Sequence, residues 1–260
     1  FGYITNFGKA HLEGFGGTEG VIKGKSELYE FLIANQKTAF VNTDDVIQNE
    51  KTKNLTTITF GLNTPENFVS ISNIETNPMV KIELENTFIQ SHLIGLYNSN
   101  NINAAITIGK HFGVSNEKIK FGIENYIPNN NRSQLIEKNS NKIILDAYNA
   151  NPSSMVAALT NFFQLEEKNK IAILGDMFEL GIESPEEHKK LIDFCINQTE
   201  IMFYFIGKDF FAHKSLNSNM HFYDTFETFK AAFTNQKIEN SILLIKGSRG
   251  MSLERTLEIL

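Results

Sequence analysis

The chain has 260 residues, of which 41% are hydrophobic and 21% charged, and this composition suits one or two globular domains with sizeable cores. The net charge of −6 and the lack of a long basic run argue against a nucleic-acid-binding surface. A single cysteine excludes an internal disulfide and favours a cytoplasmic protein, and no apolar run reaches the ~18 residues of a membrane span.

The first half of the chain is predicted to mix helices and strands. Residues 3–5 are typical of the end of a buried strand, so the chain is expected to begin inside a domain. Apolar spacing predicts a helix over 18–34. The remaining predicted elements are strands over 38–42, 55–62, 68–74, 79–85 and 88–95, and helices over 100–112 and 115–126.

From about residue 133, apolar strands alternate with amphipathic helices. We predict strands over 142–148, 170–177, 201–207, 220–223 and 241–247, and helices over 152–166, 185–198, 208–215, 225–235 and 251–260. Asn151-Pro152 is a helix cap with proline in the first turn, and Ser184-Pro185-Glu186-Glu187 has the pattern of a capping box. The alternation predicts an α/β fold with a parallel, doubly wound sheet.

Ligands of such a sheet sit beyond the carboxyl ends of its strands. Three polar clusters follow strand ends directly: DAYNANP from Asp146, LGDMFELG from Leu174 and KGSRG from Lys246. We therefore expect these clusters to share one surface.

A Gly-Lys-Ser triplet at 24–26 resembles the end of a phosphate-binding P-loop. That motif needs a glycine five positions before Gly24, where this chain has Glu19, and the stretch is predicted to be helical. A P-loop is therefore not the explanation for Lys25. His11 and Glu13 precede it in a loop, where a histidine suits a divalent metal, although a polar surface loop is the simpler interpretation of spacing alone.

The three strand-end clusters each have two interpretations. Asp146 followed by a helix N-terminus suits a ribose hydroxyl and a phosphate, but a capped helix with a packed Tyr148 fits equally well. The acids of LGDMFELG, with His188 on the next helix, could hold an amine or orient a loop, or they could be solvated turn residues. In KGSRG, two cations beside two glycines favour an anion site.

Other types of site find no support in the sequence. Cys195 lies on an apolar helical face and is expected in the core, and the remaining histidines show no metal-ligand spacing. No G-x-G-x-x-G follows a strand, which disfavours a nicotinamide or flavin enzyme.

Taken in this order, the clusters resemble the Mur ligase family of peptidoglycan synthesis. The resemblance rests on TNFGKAHLEGFG, LDAYNANPSSM, LGDMFELG and LIKGSRGM, covers nearly the whole chain, and is greatest to the member that joins D-Ala-D-Ala to UDP-N-acetylmuramoyl-tripeptide. It implies the last part of a central ATPase domain over 1–132 and a C-terminal Rossmann-like domain over 133–260. The P-loop and a UDP-sugar domain are then expected upstream of Phe1, and this piece alone is expected to be inactive.

The resemblance also implies a chemistry, an ATP-dependent, ADP-forming ligation through an acyl phosphate. Its cofactors would be ATP and Mg²⁺, its partners UDP-N-acetylmuramoyl-tripeptide and D-Ala-D-Ala, and the protein would be a cytoplasmic monomer. His11 would bind magnesium, and Lys25 would bind it as a carbamate, since a neutral amine captures carbon dioxide and becomes an anion.

The remaining site residues implied by the resemblance fall into two groups. The nucleotide-binding group consists of Asn98, Asn101, Arg132, Asp146, Tyr148 and Asn149, with Asn101 on adenine and Asp146 on ribose. The peptide- or dipeptide-binding group consists of Asn151, Ser154, Lys246, Ser248 and Arg249. Tyr97 stands where the family has histidine in G-x-H-N-x-x-N, a departure that puts the adenine contact in question.

Two alternative functions stay open at this point. One is a sibling ligase that adds another amino acid, or a folylpolyglutamate synthase. The other is a non-catalytic nucleotide- or peptide-binding module.

Overall fold

The protein's structure, a computed structural model, describes residues 1–260 and divides into two compact units. Unit 1 comprises Phe1–Gly8 and Phe15–Ile127, and unit 2 comprises Lys9–Gly14 and Pro128–Leu260. The predicted domains differ from these units at residues 9–14 and 128–132, and a domain boundary after residue 132 stays a prediction. None of the helices combines the length and apolar character needed to cross a bilayer.

Unit 1 contains a parallel sheet and a separate antiparallel sheet. The short helix α1 (Leu12–Phe15) has its first three residues in unit 2 and only Phe15 in unit 1. The strands are β1 (Gly2–Tyr3), β2 (Thr38–Asn42), β3 (Thr56–Leu62), β4 (Val69–Ile71), β5 (Asn73–Thr76), β6 (Met79–Leu84) and β7 (Thr87–Ile94), and the helices are α2 (Thr18–Ala34), α3 (Val46–Lys51), α4 (Ser99–His111) and α5 (Asn116–Glu124).

The parallel sheet has the order β1-β2-β3-β4, and the antiparallel sheet has the order β5-β6-β7. The single strand predicted over 68–74 is therefore wrong: β4 and β5 belong to different sheets, separated at Ser72. Phe60, Ile71 and Ile82 are among the fully buried side chains of the unit 1 core.

Unit 2 has the predicted α/β alternation. Its strands are β8 (Gln134–Lys138), β9 (Asn141–Asp146), β10 (Lys170–Gly175), β11 (Ile201–Ile206), β12 (Met220–Tyr223) and β13 (Ile242–Lys246), and its helices are α6 (Pro152–Phe163), α7 (Ser184–Cys195), α8 (Lys208–Phe211) and α9 (Phe226–Phe233).

The sheet of unit 2 has the order β12-β11-β10-β13-β9-β8. Five strands run parallel, as predicted, and the edge strand β8, which the sequence pattern did not indicate, pairs antiparallel with β9. Helix α9 shows how the helices cover the sheet: Phe229 and Phe233, one turn apart, are buried against Tyr204. Burying each phenyl ring contributes about 2–3 kcal/mol.

Helix ends account for two further outcomes. The Asn151 side chain accepts from the Ser154 N–H at 2.9 Å, and the Ser154 hydroxyl accepts from the Asn151 N–H, so the predicted cap of α6 is confirmed as a capping box. The capping box predicted at Ser184 is wrong, because this hydroxyl donates to Asp209 at 2.9 Å instead.

The last predicted helix, over 251–260, is also wrong as an α-helix. Two 3₁₀ segments, Arg249–Met251 and Leu253–Ile259, take its place, and Ser252 between them has a left-handed φ of 49°. A left-handed residue cannot continue an α-helix, so the chain turns at this point.

Candidate active site

The carboxyl ends of β9, β13 and β10 lie side by side in unit 2. Lys246 at the end of β13 is in register with Asp146 of β9 on one side and with Leu174 of β10 on the other. The loops that follow these strands are the three polar clusters, so the prediction that they share one surface is confirmed.

A buried ion pair joins the first and last of these loops. Lys246 Nζ donates to Asp146 Oδ2 at 2.6 Å and to the Asn149 carbonyl at 3.2 Å, and its side chain is only 2% exposed. The other carboxylate oxygen of Asp146 accepts from the Ser133 N–H at 3.1 Å. Lys246 therefore fixes the loop that begins at Asp146 by charge and by hydrogen bonding.

Ser248 connects the same surface to the loop after β10. Its N–H donates to the Asp176 carbonyl at 3.2 Å, and its hydroxyl accepts from the Phe178 N–H at 2.8 Å. Ser248 is itself buried. Ser248 thus holds the loop after β10 through hydrogen bonds and is not open to solvent.

Asp176, the first residue of the loop after β10, and His188 on α7 are both buried. The Asp176 carboxylate accepts N–H donors from Asp209 and Phe210, each at 3.0 Å, and burial raises its pKa above the ordinary value. His188 Nε2 accepts from the Met177 N–H at 3.0 Å, so its Nδ1 carries the proton and donates to the Ser184 carbonyl at 2.8 Å. Both residues orient neighbouring loops, which is one of the interpretations left open for this cluster.

The segment Lys9–Gly14 packs within unit 2. Lys9 Nζ pairs with the buried carboxylate of Glu187 at 2.9 Å, and the Lys9 N–H donates to Ser153 Oγ at 3.0 Å. His11 Nδ1 is in hydrogen-bonding contact with Glu179 Oε2. His11 thus lies beside the loop after β10, an arrangement that its distance along the chain did not indicate.

Three exposed residues, Arg132, Tyr148 and Arg249, lie in or beside the loops after β9 and β13. The Arg132 guanidinium lies 3.8 Å from the centre of the Tyr148 ring, and the Tyr148 N–H donates to the Asn131 carbonyl. Arg249 pairs with Glu254 at 2.9 Å and remains largely exposed. Stacking of this kind fixes Tyr148 while leaving the edges of the guanidinium available.

A cavity of about 360 Å³ opens at the ends of β10, β11 and β12. Its lining carries both signs of charge, with Lys208 and Arg255 opposite in sign to Asp209 and Asp224, and Phe178 forms an apolar part of the wall. The Arg255 guanidinium stacks on Phe226, and its buried Nε has no hydrogen-bond partner.

In unit 1, Lys25 lies on α2 and its Nζ donates to the Asn6 carbonyl at 2.8 Å. Partial burial lowers the pKa of this amine below its ordinary value. The neighbouring glycines have a packing role, because a Cβ at Gly20 would lie 1.7 Å from the Phe15 carbonyl oxygen and one at Gly24 would lie 2.5 Å from the Phe15 ring.

Asn98 and Asn101 are adjacent on one turn of unit 1. Asn98 is buried, donates to the Ile94 carbonyl at 2.7 Å and accepts from Asn101 Nδ2 at 3.1 Å. Asn101 lines a largely apolar cavity of about 420 Å³ between α4 and α5, whose wall includes Ile123 and Tyr126. An apolar cavity with one amide at its edge suits a flat heteroaromatic ring.

Comparison with known protein families supports this description of both units. Residues 1–109 match the Mur ligase middle domain, and residues 131–249 match the Mur ligase glutamate ligase domain. Together these domains account for most of the chain.

The chain belongs to the Mur ligase family.

Two curated Mur ligases and one crystal structure illustrate the similarity. The UDP-N-acetylmuramoyl-tripeptide–D-alanyl-D-alanine ligase of Bacillus subtilis is 29% identical over 96% of this chain, and that of Buchnera aphidicola subsp. Baizongia pistaciae is 31% identical over 98%. The MurF crystal structure from Acinetobacter baumannii superposes with a TM-score of 0.82 at 28% identity over 98% of this chain.

The chain spans 57% of the length of both curated Mur ligases and 58% of the Acinetobacter chain.

Sequence patterns did not indicate several residues that contact the predicted site residues or line the same cavity. Lys9, Ser153 and Glu187 hold the segment of His11 in unit 2, yet none has a distinctive local motif. Tyr126 lies at the end of a predicted helix, and only the packing of α4 against α5 reveals its place at the cavity of Asn101. Glu179 was visible within LGDMFELG, but its contact with His11 was not.

Proposed function

We propose that this chain forms two domains of an ATP-dependent ligase that joins D-Ala-D-Ala to UDP-N-acetylmuramoyl-tripeptide. The observation that carries the proposal is the similarity to such ligases over 96–98% of the chain. The hydrogen-bonded surface formed by the three loops that resemble this ligase supports it. The proposal applies to the intact protein, which we further propose to be a cytoplasmic monomer.

Nucleotide binding would draw on both units separately. In unit 1, the cavity beside Asn101 fits an adenine ring, with Asn98 fixing the orientation of the Asn101 amide. In unit 2, Tyr148, Asn149 and the Arg132 guanidinium would contact the nucleotide. Both carboxylate oxygens of Asp146 already accept hydrogen bonds, and an ionised carboxylate has further lone pairs for a ribose hydroxyl.

Magnesium binding would draw on the two units separately, with His11 as a ligand in unit 2 and Lys25, as a carbamate, as a ligand in unit 1. The lowered pKa of Lys25 fits the carbamate role, because the neutral amine is the form that carbon dioxide attacks. When bound, Mg²⁺ would neutralise phosphate charge during transfer to the peptide carboxylate.

Peptide and dipeptide binding would involve the loops after β9 and β13. The exposed Arg249 would contact a carboxylate directly, whereas Lys246 and Ser248 are buried and would act by holding the loops in place. Asn151 and Ser154, which cap α6, would present that helix N-terminus to the substrate. The mixed-charge cavity at Lys208 suits a zwitterion such as a dipeptide.

The test is phosphate release by the intact protein with ATP and UDP-N-acetylmuramoyl-tripeptide. Adding D-Ala-D-Ala should stimulate release and give the pentapeptide product, whereas single amino acids should not. Stimulation by a single amino acid instead would favour the sibling ligase, and nucleotide binding without release under any condition would favour the non-catalytic module. The Arg249→Ala variant should raise the KM for a peptide substrate, with Lys142→Ala as an exposed control remote from the loops.

A further inference from the structure

Glu179 and His11 form an unusual pair on the surface of unit 2. Both have left-handed backbones, with φ of 61° and 56°, a conformation that residues with a Cβ seldom adopt. Their side chains meet through Glu179 Oε2 and His11 Nδ1. The structure thus holds two unfavourable backbone conformations at one contact.

The surrounding backbone maintains this contact from both sides. The Glu13 N–H donates to the Glu179 carbonyl at 3.0 Å, which ties the segment of His11 to the loop after β10. The Phe178 N–H donates to Ser248 Oγ at 2.8 Å, and Leu180 is buried, so the residues on either side of Glu179 are anchored. Neither left-handed residue is free to relax without breaking these contacts.

Stability does not account for the pair. The side chains of His11 and Glu179 are 55% and 60% exposed, and polar contacts this exposed contribute little to folding because water competes with them and screens them. Left-handed residues that persist without a stabilising benefit are typical of sites where the geometry itself serves function.

The contact also fixes which nitrogen of His11 carries the proton. A carboxylate opposite Nδ1 keeps the proton there, so the lone pair is on Nε2. Histidines that bind metals characteristically donate their second ring N–H to a carboxylate, which sets the ring orientation and raises the basicity of the binding nitrogen. Glu179 is such a carboxylate for His11, because its Oε2 contacts Nδ1 and leaves Nε2 as the binding nitrogen.

We propose that Glu179 is a positioning residue that holds His11 as the Nδ1–H tautomer, with Nε2 directed to a divalent cation. This inference rests on the proposed function, in which His11 binds magnesium. It gives the glutamate of LGDMFELG a role that its sequence motif left unassigned.

The test uses ¹⁵N-histidine NMR on this chain and the Mg²⁺ dependence of phosphate release by the intact protein. His11→Gln assigns the resonances of this ring among the six histidines. In Glu179→Ala, the Nδ1–H tautomer of His11 should lose its predominance, and half-maximal activity should require about tenfold more Mg²⁺. Glu179→Gln retains a hydrogen-bond acceptor and should show a smaller change in both measurements.

The matched control is Glu13→Gln, which removes the same charge two residues from His11 without a contact to its ring. It should leave the tautomer and the Mg²⁺ requirement unchanged. A wild-type tautomer or a wild-type Mg²⁺ requirement in Glu179→Ala would overturn the proposal. If D-Ala-D-Ala did not stimulate phosphate release, only the proposed acceptor would be contradicted. The tautomer of His11 and the Mg²⁺ requirement can both be compared between variants whichever amine is added.

Discussion

The ion pair between Lys246 and Asp146 provides a sharp test of how the strand-end loops are held. Replacing Lys246 with Met keeps most of the side-chain volume and removes the charge. At 2.6 Å and an effective dielectric constant of about 20, the attraction is about 6 kcal/mol before desolvation is subtracted. Breaking a buried pair costs about 3–5 kcal/mol in practice.

We expect the lower end of that range for Lys246→Met, about 3 kcal/mol. Asp146 is 14% exposed and keeps the Ser133 N–H, so its charge is only partly stranded. Such a loss corresponds to a fall of about 10 °C in the Tm of a unit of this size. The double variant Asp146→Asn/Lys246→Met should lose less than the sum of the two single losses, because each single variant leaves the charge of the other residue unpaired and the double variant leaves no such charge.

The assay measures the free energy of unfolding in urea, with hydrogen exchange of the β9 and β13 backbone amides as the probe. These amides belong to unit 2, so the probe reports on that unit alone. The control is Lys142→Met, on the opposite end of β9, whose exposed side chain pairs with Glu167 at 3.5 Å. This variant should stay within about 0.5 kcal/mol of the wild type. A loss of under 1 kcal/mol in Lys246→Met would refute the reasoning that burial makes this pair matter.

Three further predictions concern glycine packing, a buried acid and Lys25. Gly20→Ala should destabilise unit 1 by about 1–3 kcal/mol in urea denaturation, because the added Cβ would clash with the Phe15 carbonyl oxygen. Gly122→Ala on α5 has open space around the added Cβ and should stabilise unit 1 by up to about 1 kcal/mol, so equal effects of the two variants would contradict this account. Burial raises the pKa of Asp176, so the folded state binds this proton more tightly than the unfolded state does. Relative to Asp176→Asn, the free energy of unfolding of the wild type should therefore fall as the pH rises from about 4 through the raised pKa, and parallel curves of unfolding free energy against pH would argue against this account. Lys25→Arg keeps the cation but cannot form a carbamate, and we expect activity to fall by about 10²–10³-fold with unchanged circular dichroism; near-normal activity would exclude the carbamate role.

The sequence was sufficient for most of the secondary structure where local patterns were strong. Helix α2 begins at Thr18 and ends at Ala34, as its apolar spacing predicted, and β2 and β12 have the predicted bounds. These elements could be predicted because each buries one face, and burial imposes a period on the side chains.

Prediction failed where the deciding contact lies far along the chain. Ser184 had the local pattern of a cap, but Asp209 offered its hydroxyl a better partner. The end of the chain was expected to be an α-helix, and the left-handed Ser252 interrupts it. Local propensity is weak compared with tertiary contacts, so such positions are the ones that sequence patterns misjudge.

By itself, the sequence determined that the chain has an α/β fold and that its polar clusters follow the strand ends. The alternation of strands and helices predicts a parallel sheet, and the carboxyl ends of parallel strands lie at one edge of the sheet. The sequence also showed that Gly24-Lys25-Ser26 is not a P-loop. Only the tertiary structure decided what each polar residue does. Lys246 and Ser248 turned out to be buried supports, and Glu179 came to face His11 across 168 positions of the chain. The physical reason is that burial and pairing depend on which loops meet in space, and no local pattern records the partner.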